Sequence, residues 1–190
     1  MADQDDPLLS LQRLLASRST RQGEFTLTSG RTSSLYIDAR LTTMSPEGLA
    51  LIGPLGLRAL REANWNVDAV GGLTLGADPV AYAISYASAL EGQSLIRAFT
   101  VRKEPKKHGT GQLIEGPFRA ADRVAVVEDV ITTGSSALRA AEAISSAGGE
   151  VIGVLAVVDR EEGGREALEA AGLKVRTLTR ARDIVALLSS

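Results

Sequence analysis

The sequence feature that most restricts the fold is a regular alternation of apolar, β-branched segments with segments of helical periodicity. The alternation begins near Val67 and continues to Leu178. It is typical of an α/β protein in which a central, mainly parallel, twisted sheet carries helices on both faces. The predicted strands are 67–73, 94–101, 123–130, 150–160 and 173–178, and the predicted helices among them are 77–92, 135–149 and 165–171. We therefore predict that residues 1–190 form a single domain with an α/β core at about 46–180.

Residues 1–45 fall outside this alternation and predict a helix and a small N-terminal hood over one edge of the sheet. Asp6 is a candidate N-cap for the first helix, because leucines at helical spacing follow it. Residues 24–41 predict two short strands around a Ser/Gly turn. Ser45 is the predicted N-cap of a second helix that ends at about Glu62.

Composition argues against several classes of function. The formal net charge is -2, which disfavours a general nucleic-acid surface, and no apolar run approaches the ~20 residues needed to span a bilayer. The chain has no cysteine, which excludes disulfides and thiolate metal sites. Its acidic first residues differ from the basic start of a signal peptide. We expect a cytoplasmic protein without nucleic-acid or membrane partners.

The segment VVEDVITTGSS, residues 126–136, places two acids at the end of a predicted strand and a hydroxyl-rich turn before a helix. Open parallel sheets bind ligands at the carboxyl ends of their strands, and N–H groups at a helix N-terminus bind phosphate. A ribose 5-phosphate suits both features. Its phosphate fits the turn, and its 2- and 3-hydroxyls can donate to Glu128 and Asp129. The alternative is an ordinary helix cap with acids that favour the helix dipole.

A long polar segment, residues 102–118, lies between two predicted strands, and loops of this length are usually functional or disordered. Its basic residues fall within seven positions and are Arg102, Lys103, Lys106, Lys107 and His108. So dense a basic loop in an acidic protein suggests a strongly acidic ligand such as a diphosphate, and its glycines would permit closure over that ligand. The alternative is a solvated run of surface charge.

VVEDVITTGSS closely resembles the phosphoribosyl-diphosphate-binding motif of type I phosphoribosyltransferases. FTLTSGRTSSLYIDARL, VRKEPKKHGTGQLIEG and VVDREEGG are similar to three motifs of orotate phosphoribosyltransferases, and GGLTLGADPVAYA resembles the diphosphate-binding loop of that family. The matching positions of the first motif are Phe25, Leu27, Ser29, Gly30, Ser33, Tyr36, Asp38 and Arg40. The resemblance extends from about Leu8 to Leu178.

This resemblance implies the type I phosphoribosyltransferase fold and the transfer of ribose 5-phosphate from 5-phospho-α-D-ribose 1-diphosphate to orotate. The products would be diphosphate and orotidine 5-phosphate, an intermediate in the synthesis of UMP. Contacts to phosphoribosyl diphosphate are implied for Arg102, Lys103, Lys106, His108, Glu128, Asp129, Val130, Ile131, Thr132, Thr133, Gly134, Ser135 and Ser136. Of these, Lys106, His108, Glu128 and Asp129 would be catalytic. Thr132 and Arg160 would bind orotate.

The resemblance also implies Mg²⁺ as a cofactor, held mainly by substrate and water rather than directly by the protein. It further implies a homodimer in which residues 102–118 form a mobile catalytic loop shared across the interface. Lys103 would serve its own subunit, whereas Arg102, Lys106 and His108 would reach the neighbouring site.

Other interpretations stay open at this point. The protein could be a phosphoribosyltransferase for another base, such as a purine, or a non-catalytic regulator that binds phosphoribosyl diphosphate. Arg160 could form an ion pair with Asp159 or Glu161 instead of binding a substrate carboxylate. Some orotate phosphoribosyltransferases have lysines where this chain has Thr28 and Leu75, so no lysine contact is expected at those positions.

Overall fold

The computed structural model describes residues 6–26, 32–105 and 112–188. In chain order its elements are α1 (Pro7–Leu14), a π-helical turn (Leu15–Ser19), β1 (Thr20–Thr26), β2 (Thr32–Ile37), α2 (Arg40–Thr43), α3 (Pro46–Glu62), β3 (Ala69–Leu73), α4 (Ala77–Glu91), β4 (Arg97–Val101), β5 (Ile114–Glu115), β6 (Arg123–Ile131), α5 (Ser135–Ser146), β7 (Glu150–Asp159), α6 (Gly164–Ala170), β8 (Val175–Arg180) and α7 (Ala181–Ala186). Strands and helices alternate from β6 to the end of the described chain.

Six strands form the central sheet in the order β5-β4-β3-β6-β7-β8. Every neighbouring pair is parallel except β4 and β5, which are antiparallel. From β3 the chain adds strands towards one edge, and from β6 towards the other, so the strand order reverses between β3 and β6. Open α/β sheets bind ligands at such a reversal. The predicted α/β class with a mainly parallel sheet is confirmed.

Helices cover both faces of the sheet, and the alternation of side chains along β6 supplies two cores. Ala125 and Val127 belong to the core shared with α1, α3, α4 and α7. Val124 and Val126 belong to the core shared with α5 and α6. A central parallel strand buried on both faces must be almost continuously apolar, which is why this segment predicted a strand so clearly.

The two predicted helix starts are confirmed by capping hydrogen bonds. Asp6 Oδ1 accepts from the N–H of Leu8 at 3.1 Å, and Ser45 Oγ accepts from the N–H of Gly48 at 3.0 Å. The second of these helices, α3, ends at Glu62, as predicted. Among the described residues, no helix combines the length and the apolar character needed to cross a bilayer.

The hood is the antiparallel pair β1–β2, which is a separate two-stranded sheet. Hydrogen bonds near the end where β1 begins and near the middle of β2 hold it to the rest of the chain. The N–H of Asp38 donates to the carbonyl oxygen of Ser19 at 2.9 Å, and the Ser19 and Thr42 hydroxyls lie 2.7 Å apart. On the other side, Arg160 Nη2 donates to the carbonyl oxygen of Leu35 at 3.1 Å. The hood therefore lies beside the carboxyl end of β7.

Sequence periodicity did not predict the π-helical turn, α2, β5 or α7. These elements have five, four, two and six residues respectively, and such short segments show too little of a period to identify. The predicted strand 94–101 is also shorter than expected, since β4 begins at Arg97.

Replacing Gly153 of β7 with alanine should destabilise the fold. A Cβ there would lie 2.4 Å from Trp65 Cη2 and 2.8 Å from the carbonyl oxygen of Lys174, and neither group can move without disturbing the core. We expect the free energy of unfolding to fall by about 1–3 kcal/mol. The measurement is urea unfolding followed by the fluorescence of Trp65, the only tryptophan.

A control for this variant is Gly56→Ala in α3, where the new Cβ would meet only the side chain of Ile84 at short distance. That side chain can shift, and alanine favours helix over glycine, so the loss should be smaller. Equal losses in Gly153→Ala and Gly56→Ala would contradict the explanation.

Candidate active site

A cavity of about 310 Å³ opens at the carboxyl ends of β3, β6 and β7. It therefore lies where the strand order reverses. Five parts of the chain form its walls: the end of β2 with the segment after it, the turn after β3, the segment after β4, the end of β6 with its turn, and the turn after β7. The lining residues are 36–40, 73–76, Lys103, 128–130, Thr132, Ser136 and Arg160.

Glu128 is a buried acid at the end of the central strand. The residue is 6% exposed, and its Oε1 has no hydrogen-bond partner among the described residues. Burial, with a smaller contribution from the charge of Asp129, raises the pKa of Glu128 to about 8. At neutral pH the ligand-free site therefore favours a protonated Glu128.

Asp129 follows it and faces the turn after β3. Its Oδ1 accepts from the N–H of Val130 at 2.9 Å. Burial raises the pKa of Asp129, while this N–H and the charge of Arg40 act in the opposite direction. A Cβ on Gly76 would lie 2.4 Å from Asp129 Oδ1, so the turn approaches the carboxylate as closely as a glycine allows. The two acids thus share one cavity but differ in their surroundings.

The turn after β6, residues 132–136, has the geometry of an anion site. Gly134 has a φ of +78°, and a Cβ there would lie 2.9 Å from the carbonyl oxygen of Gly164, so a side chain is excluded. The helix α5 begins at the next residue, Ser135, and the hydroxyls of Thr133 and Ser135 lie 3.1 Å apart. A second cavity of about 30 Å³ lies within this turn, beside the larger one. The first N–H groups of a helix have no partner within the helix, and together with several hydroxyls they suit a phosphate group.

Arg160 places a buried guanidinium group in the wall of the larger cavity. Its side chain is 5% exposed. Nη2 donates to the carbonyl oxygen of Leu35 and to Glu162 Oε1, the latter at 2.5 Å. Nε is buried and has no partner among the described residues. A buried guanidinium donor without a partner is costly, so this group is suited to an anionic ligand.

Arg160 does form an ion pair, but with Glu162, and the predicted partners Asp159 and Glu161 are wrong. Asp159 accepts instead from Arg165 Nε at 3.0 Å, and Glu161 pairs with Arg182 at 3.4 Å. The two neighbouring acids are therefore paired elsewhere in the fold.

The predicted basic loop is only partly within the described residues. Lys103 lines the cavity, and its carbonyl oxygen accepts from Arg139 Nη2 at 2.9 Å. Arg102 does not line it, because its guanidinium lies 3.6 Å from Glu115 Oε1. Lys106 and His108 lie outside the described residues, as does Thr28.

Two sets of lining residues were not named individually as ligand contacts, although the second belongs to the segment that resembles a diphosphate-binding loop. Asp38 and Arg40 line the cavity and pair with each other at 2.8 Å. Thr74 to Gly76 line it from the turn after β3. Both sets lie in segments whose sequences had a resemblance to family motifs, and that was the available signal. Within the described part of the chain, no group of three or more Asp, Glu or His side chains is arranged to hold a metal ion.

Comparison with known proteins gives a consistent result. The orotate phosphoribosyltransferase of Aquifex aeolicus is 48% identical over 178 residues, which cover 92% of this chain and 96% of that protein. The enzyme of Rhodopseudomonas palustris is 46% identical over 179 residues, with 92% and 94% covered. No protein-family model matches the chain.

Comparison with solved structures leads to the same family. The crystal structure of Mycobacterium tuberculosis orotate phosphoribosyltransferase in complex with Fe(III) dicitrate has a TM-score of 0.83 and 45% identity, covering 94% of this chain and 99% of that one. The same enzyme in complex with 5-phospho-alpha-D-ribosyl 1-diphosphate has a TM-score of 0.80 and 43% identity, with 95% and 99% covered. The adenine phosphoribosyltransferase of Leishmania donovani, at 17% identity and a TM-score of 0.64, shares the fold.

The sheet order, the two acids and the hydroxyl-rich turn at its reversal define a type I phosphoribosyltransferase. Within that class, the sequence identity with orotate phosphoribosyltransferases over nearly the whole chain determines the family. The chain belongs to the orotate phosphoribosyltransferase family.

Replacing Glu128 with glutamine should change how stability depends on pH. The pKa of Glu128 is about 8 in the folded protein against an ordinary 4.5, so the folded state retains a proton that the unfolded state releases. Stability from this group is complete below about pH 4.5 and is lost as the pH rises through about 8. Between pH 5 and pH 8, the ligand-free wild type should lose on the order of a few kcal/mol relative to Glu128→Gln.

The measurement is urea unfolding of the ligand-free proteins at several pH values across that interval. Glu142→Gln, on the exposed surface of α5, is the matched control and should follow the wild type. Parallel pH curves for the wild type and Glu128→Gln would contradict the assigned pKa.

Replacing Gly76 with alanine should reveal its contact with Asp129 in a double-mutant cycle. Gly76 has helical backbone angles, so alanine is unstrained there, but its Cβ would overlap the Asp129 carboxylate. We expect Gly76→Ala to be destabilising alone and nearly neutral in an Asp129→Ala background, with a coupling of about 1–3 kcal/mol by urea unfolding. Additive losses would show that the two groups are not in contact.

Proposed function

We propose that the protein transfers ribose 5-phosphate from 5-phospho-α-D-ribose 1-diphosphate to orotate, forming orotidine 5-phosphate and diphosphate. The observation that supports this most directly is the shared cavity. It contains an anion-binding turn, two acids and a buried guanidinium with a donor to spare. The Mycobacterium tuberculosis relative was crystallised with the phosphoribosyl donor itself. A cytoplasmic location, predicted from composition, belongs to the same proposal.

In this proposal the turn at 132–136 binds the 5-phosphate through the N–H groups that begin α5 and through its hydroxyls. Glu128 and Asp129, at the adjacent end of β6, then accept hydrogen bonds from the ribose hydroxyls. Their negative charge also stabilises positive charge at the anomeric carbon as the bond to diphosphate breaks. Val130 and Ile131 connect the acids to the turn, and Ile131 is buried and packs in the core.

Orotate would bind beside Arg160. Its carboxylate accepts hydrogen bonds from the guanidinium, whose Nε has no partner among the described residues, and Thr132 lines the same cavity. The ring nitrogen of orotate attacks the anomeric carbon as the bond to diphosphate breaks, and the proton that this nitrogen carried passes to the departing diphosphate or to solvent. The contact of Arg160 with Glu162 holds the guanidinium in place while the site is empty.

The diphosphate would lie between the turn at 74–76 and Lys103, which line one side of the cavity. Arg102, Lys106 and His108 complete the basic set, and Lys106 or His108 is the candidate proton donor to the leaving group. Bound Mg²⁺ would supply charge neutralisation and so make diphosphate a better leaving group. The described residues fit an ion held mainly by substrate oxygens and water, because the acids here are a pair rather than a cage.

A homodimer is part of the proposal. Tyr82, Tyr86 and Leu90 follow each other at four-residue spacing on α4 and are 53%, 68% and 71% exposed. An exposed apolar stripe of this kind favours an interface with another protein surface. A second copy of the chain would cover it and would bring its own loop 102–118 to the neighbouring site.

The test of the function is the near-ultraviolet absorbance of orotate. Purified protein, Mg²⁺ and phosphoribosyl diphosphate are mixed with orotate, and adenine, hypoxanthine and uracil are tested in parallel. Loss of orotate that requires both Mg²⁺ and phosphoribosyl diphosphate is the expected result. Consumption of a different base would overturn the role of Arg160. Binding of phosphoribosyl diphosphate without any reaction would favour a regulator.

Replacing Arg160 with lysine should weaken the binding of orotate without weakening the binding of phosphoribosyl diphosphate. Lysine keeps the charge but cannot form the planar fork that a carboxylate accepts. We expect the KM for orotate to rise about tenfold, equivalent to about 1.4 kcal/mol, with little change in the KM for phosphoribosyl diphosphate. Arg182→Lys, which alters an ion pair outside the cavity, is the control. A rise in both KM values would indicate general damage to the site.

A further inference from the structure

Asp78 lies in the first turn of α4, directly after the turn that lines the cavity. Its side chain is buried, and both carboxylate oxygens accept hydrogen bonds from threonine hydroxyls. Thr74 Oγ1 donates to Oδ2 at 2.7 Å, and Thr100 Oγ1 donates to Oδ1 at 2.8 Å. Tyr82 OH lies 3.0 Å from Thr100 Oγ1. Because the single Thr100 proton is already given to Asp78, Tyr82 is the donor in that contact.

Simple stability does not account for a carboxylate at this position. Both of its side-chain donors are neutral hydroxyls, and burial of a charge costs free energy that such donors only partly offset. The N-terminus of α4 contributes further stabilisation. An apolar side chain could fill the same space, often without loss of stability. The polar cluster therefore indicates a requirement for fixed geometry.

Both threonines belong to segments that end at the cavity. Thr74 lines the cavity, and its N–H donates to the carbonyl oxygen of Val101 at 2.8 Å. Thr100 precedes Val101 on β4, and the chain continues from there to Lys103, which also lines the cavity. The Asp78 carboxylate therefore joins the turn after β3 to the end of β4 through one hydrogen bond to each.

The same turn also meets the acids of the site, since Gly76 lies against the Asp129 carboxylate. A shift of the turn would therefore change two walls of the cavity together. Asp78 itself does not line the cavity, so it can influence a ligand only through the residues that it holds.

We propose that Asp78 is a positioning residue that fixes the turn at 74–76 and the start of the basic loop relative to each other, so that both can bind diphosphate. This inference rests on the proposed function, because it assigns the diphosphate to that wall. The inference assigns a role in binding to a residue outside the cavity. It also predicts that this residue affects the diphosphate end of the site more than the ends that bind orotate and the 5-phosphate.

The test uses three variants of the full chain. Asp78→Ala removes both acceptors, and Thr100→Val removes one donor without changing the size of the side chain. Asp78→Asn retains one acceptor, and its amide N–H can donate to the other threonine hydroxyl. The steady-state measurements are KM for phosphoribosyl diphosphate and KM for orotate. Calorimetry gives the Kd values of inorganic diphosphate with Mg²⁺ and of ribose 5-phosphate.

We expect Asp78→Ala to raise the KM for phosphoribosyl diphosphate and the Kd for inorganic diphosphate about tenfold, as loss of hydrogen bonds to a charged group predicts. Thr100→Val should raise both about threefold, and Asp78→Asn should recover most of the loss. The KM for orotate should stay within about twofold of the wild type, because Arg160 follows β7 and Thr132 follows β6, outside this turn. The Kd for ribose 5-phosphate should rise by less than the Kd for diphosphate, because the turn reaches that subsite only where Gly76 lies against Asp129.

Equal changes in all four constants would mean that Asp78 has only a structural role and would overturn the proposal. Unchanged diphosphate binding in Thr100→Val would also overturn it. If Asp78→Ala does not fold, as judged by circular dichroism, Thr100→Val decides the question. A wild-type protein that binds diphosphate but turns over no base would refute the proposed function alone, since the diphosphate measurements would still test Asp78. A wild-type protein that does not bind diphosphate would refute both.

Discussion

Burial of the Glu128 carboxyl group at the end of the central strand is the constraint on which the site depends. β6 pairs with β3 as far as Val126 and with β7 throughout, and it is covered on both faces, so the chain has no solvent-filled space for an acid until the last part of the strand. The acid at that point is poorly solvated and holds its proton unless a ligand supplies donors or positive charge. In the proposed reaction, a sugar that becomes cationic would supply both. On this proposal, the free energy that burial of the acid costs is offset only when substrate is bound.

The fold could be predicted from the sequence because its main elements are long and follow simple rules. β6 and β7 are buried on both faces and therefore appear as continuous apolar runs, while α3 has an N-cap at Ser45. The acids and the hydroxyl-rich turn could also be placed in advance, since the carboxyl end of a parallel strand and the start of the next helix are adjacent in sequence. Local order along the chain was sufficient for this half of the site.

The other half depends on contacts between distant segments, which periodicity does not encode. The hood brings Arg40 to the cavity, and Leu35 holds Arg160, across more than a hundred positions of sequence. The partner of Arg160 is Glu162, although two other acids flank it more closely in the sequence. Only the fold determines which of several nearby carboxylates an arginine reaches. Likewise, nothing in the sequence predicts that Thr74 and Thr100 share the Asp78 carboxylate.

The pairing of β3 with β6 has a consequence for how the site comes into existence during folding. The paired residues are Ala69 with Val124, Val70 with Ala125 and Gly71 with Val126, so partners are 124 − 69 = 55 positions apart. Such long-range parallel pairing closes late, because the loop entropy must be lost before the contacts form. The turn after β3 and the acids near the end of β6 face each other only once these two strands have paired. A folding intermediate with only the β6–β8 half complete would contain the two acids, the turn at 132–136 and Arg160, but not the turn at 74–76. A ligand that needs both halves could therefore stabilise only the fully paired sheet.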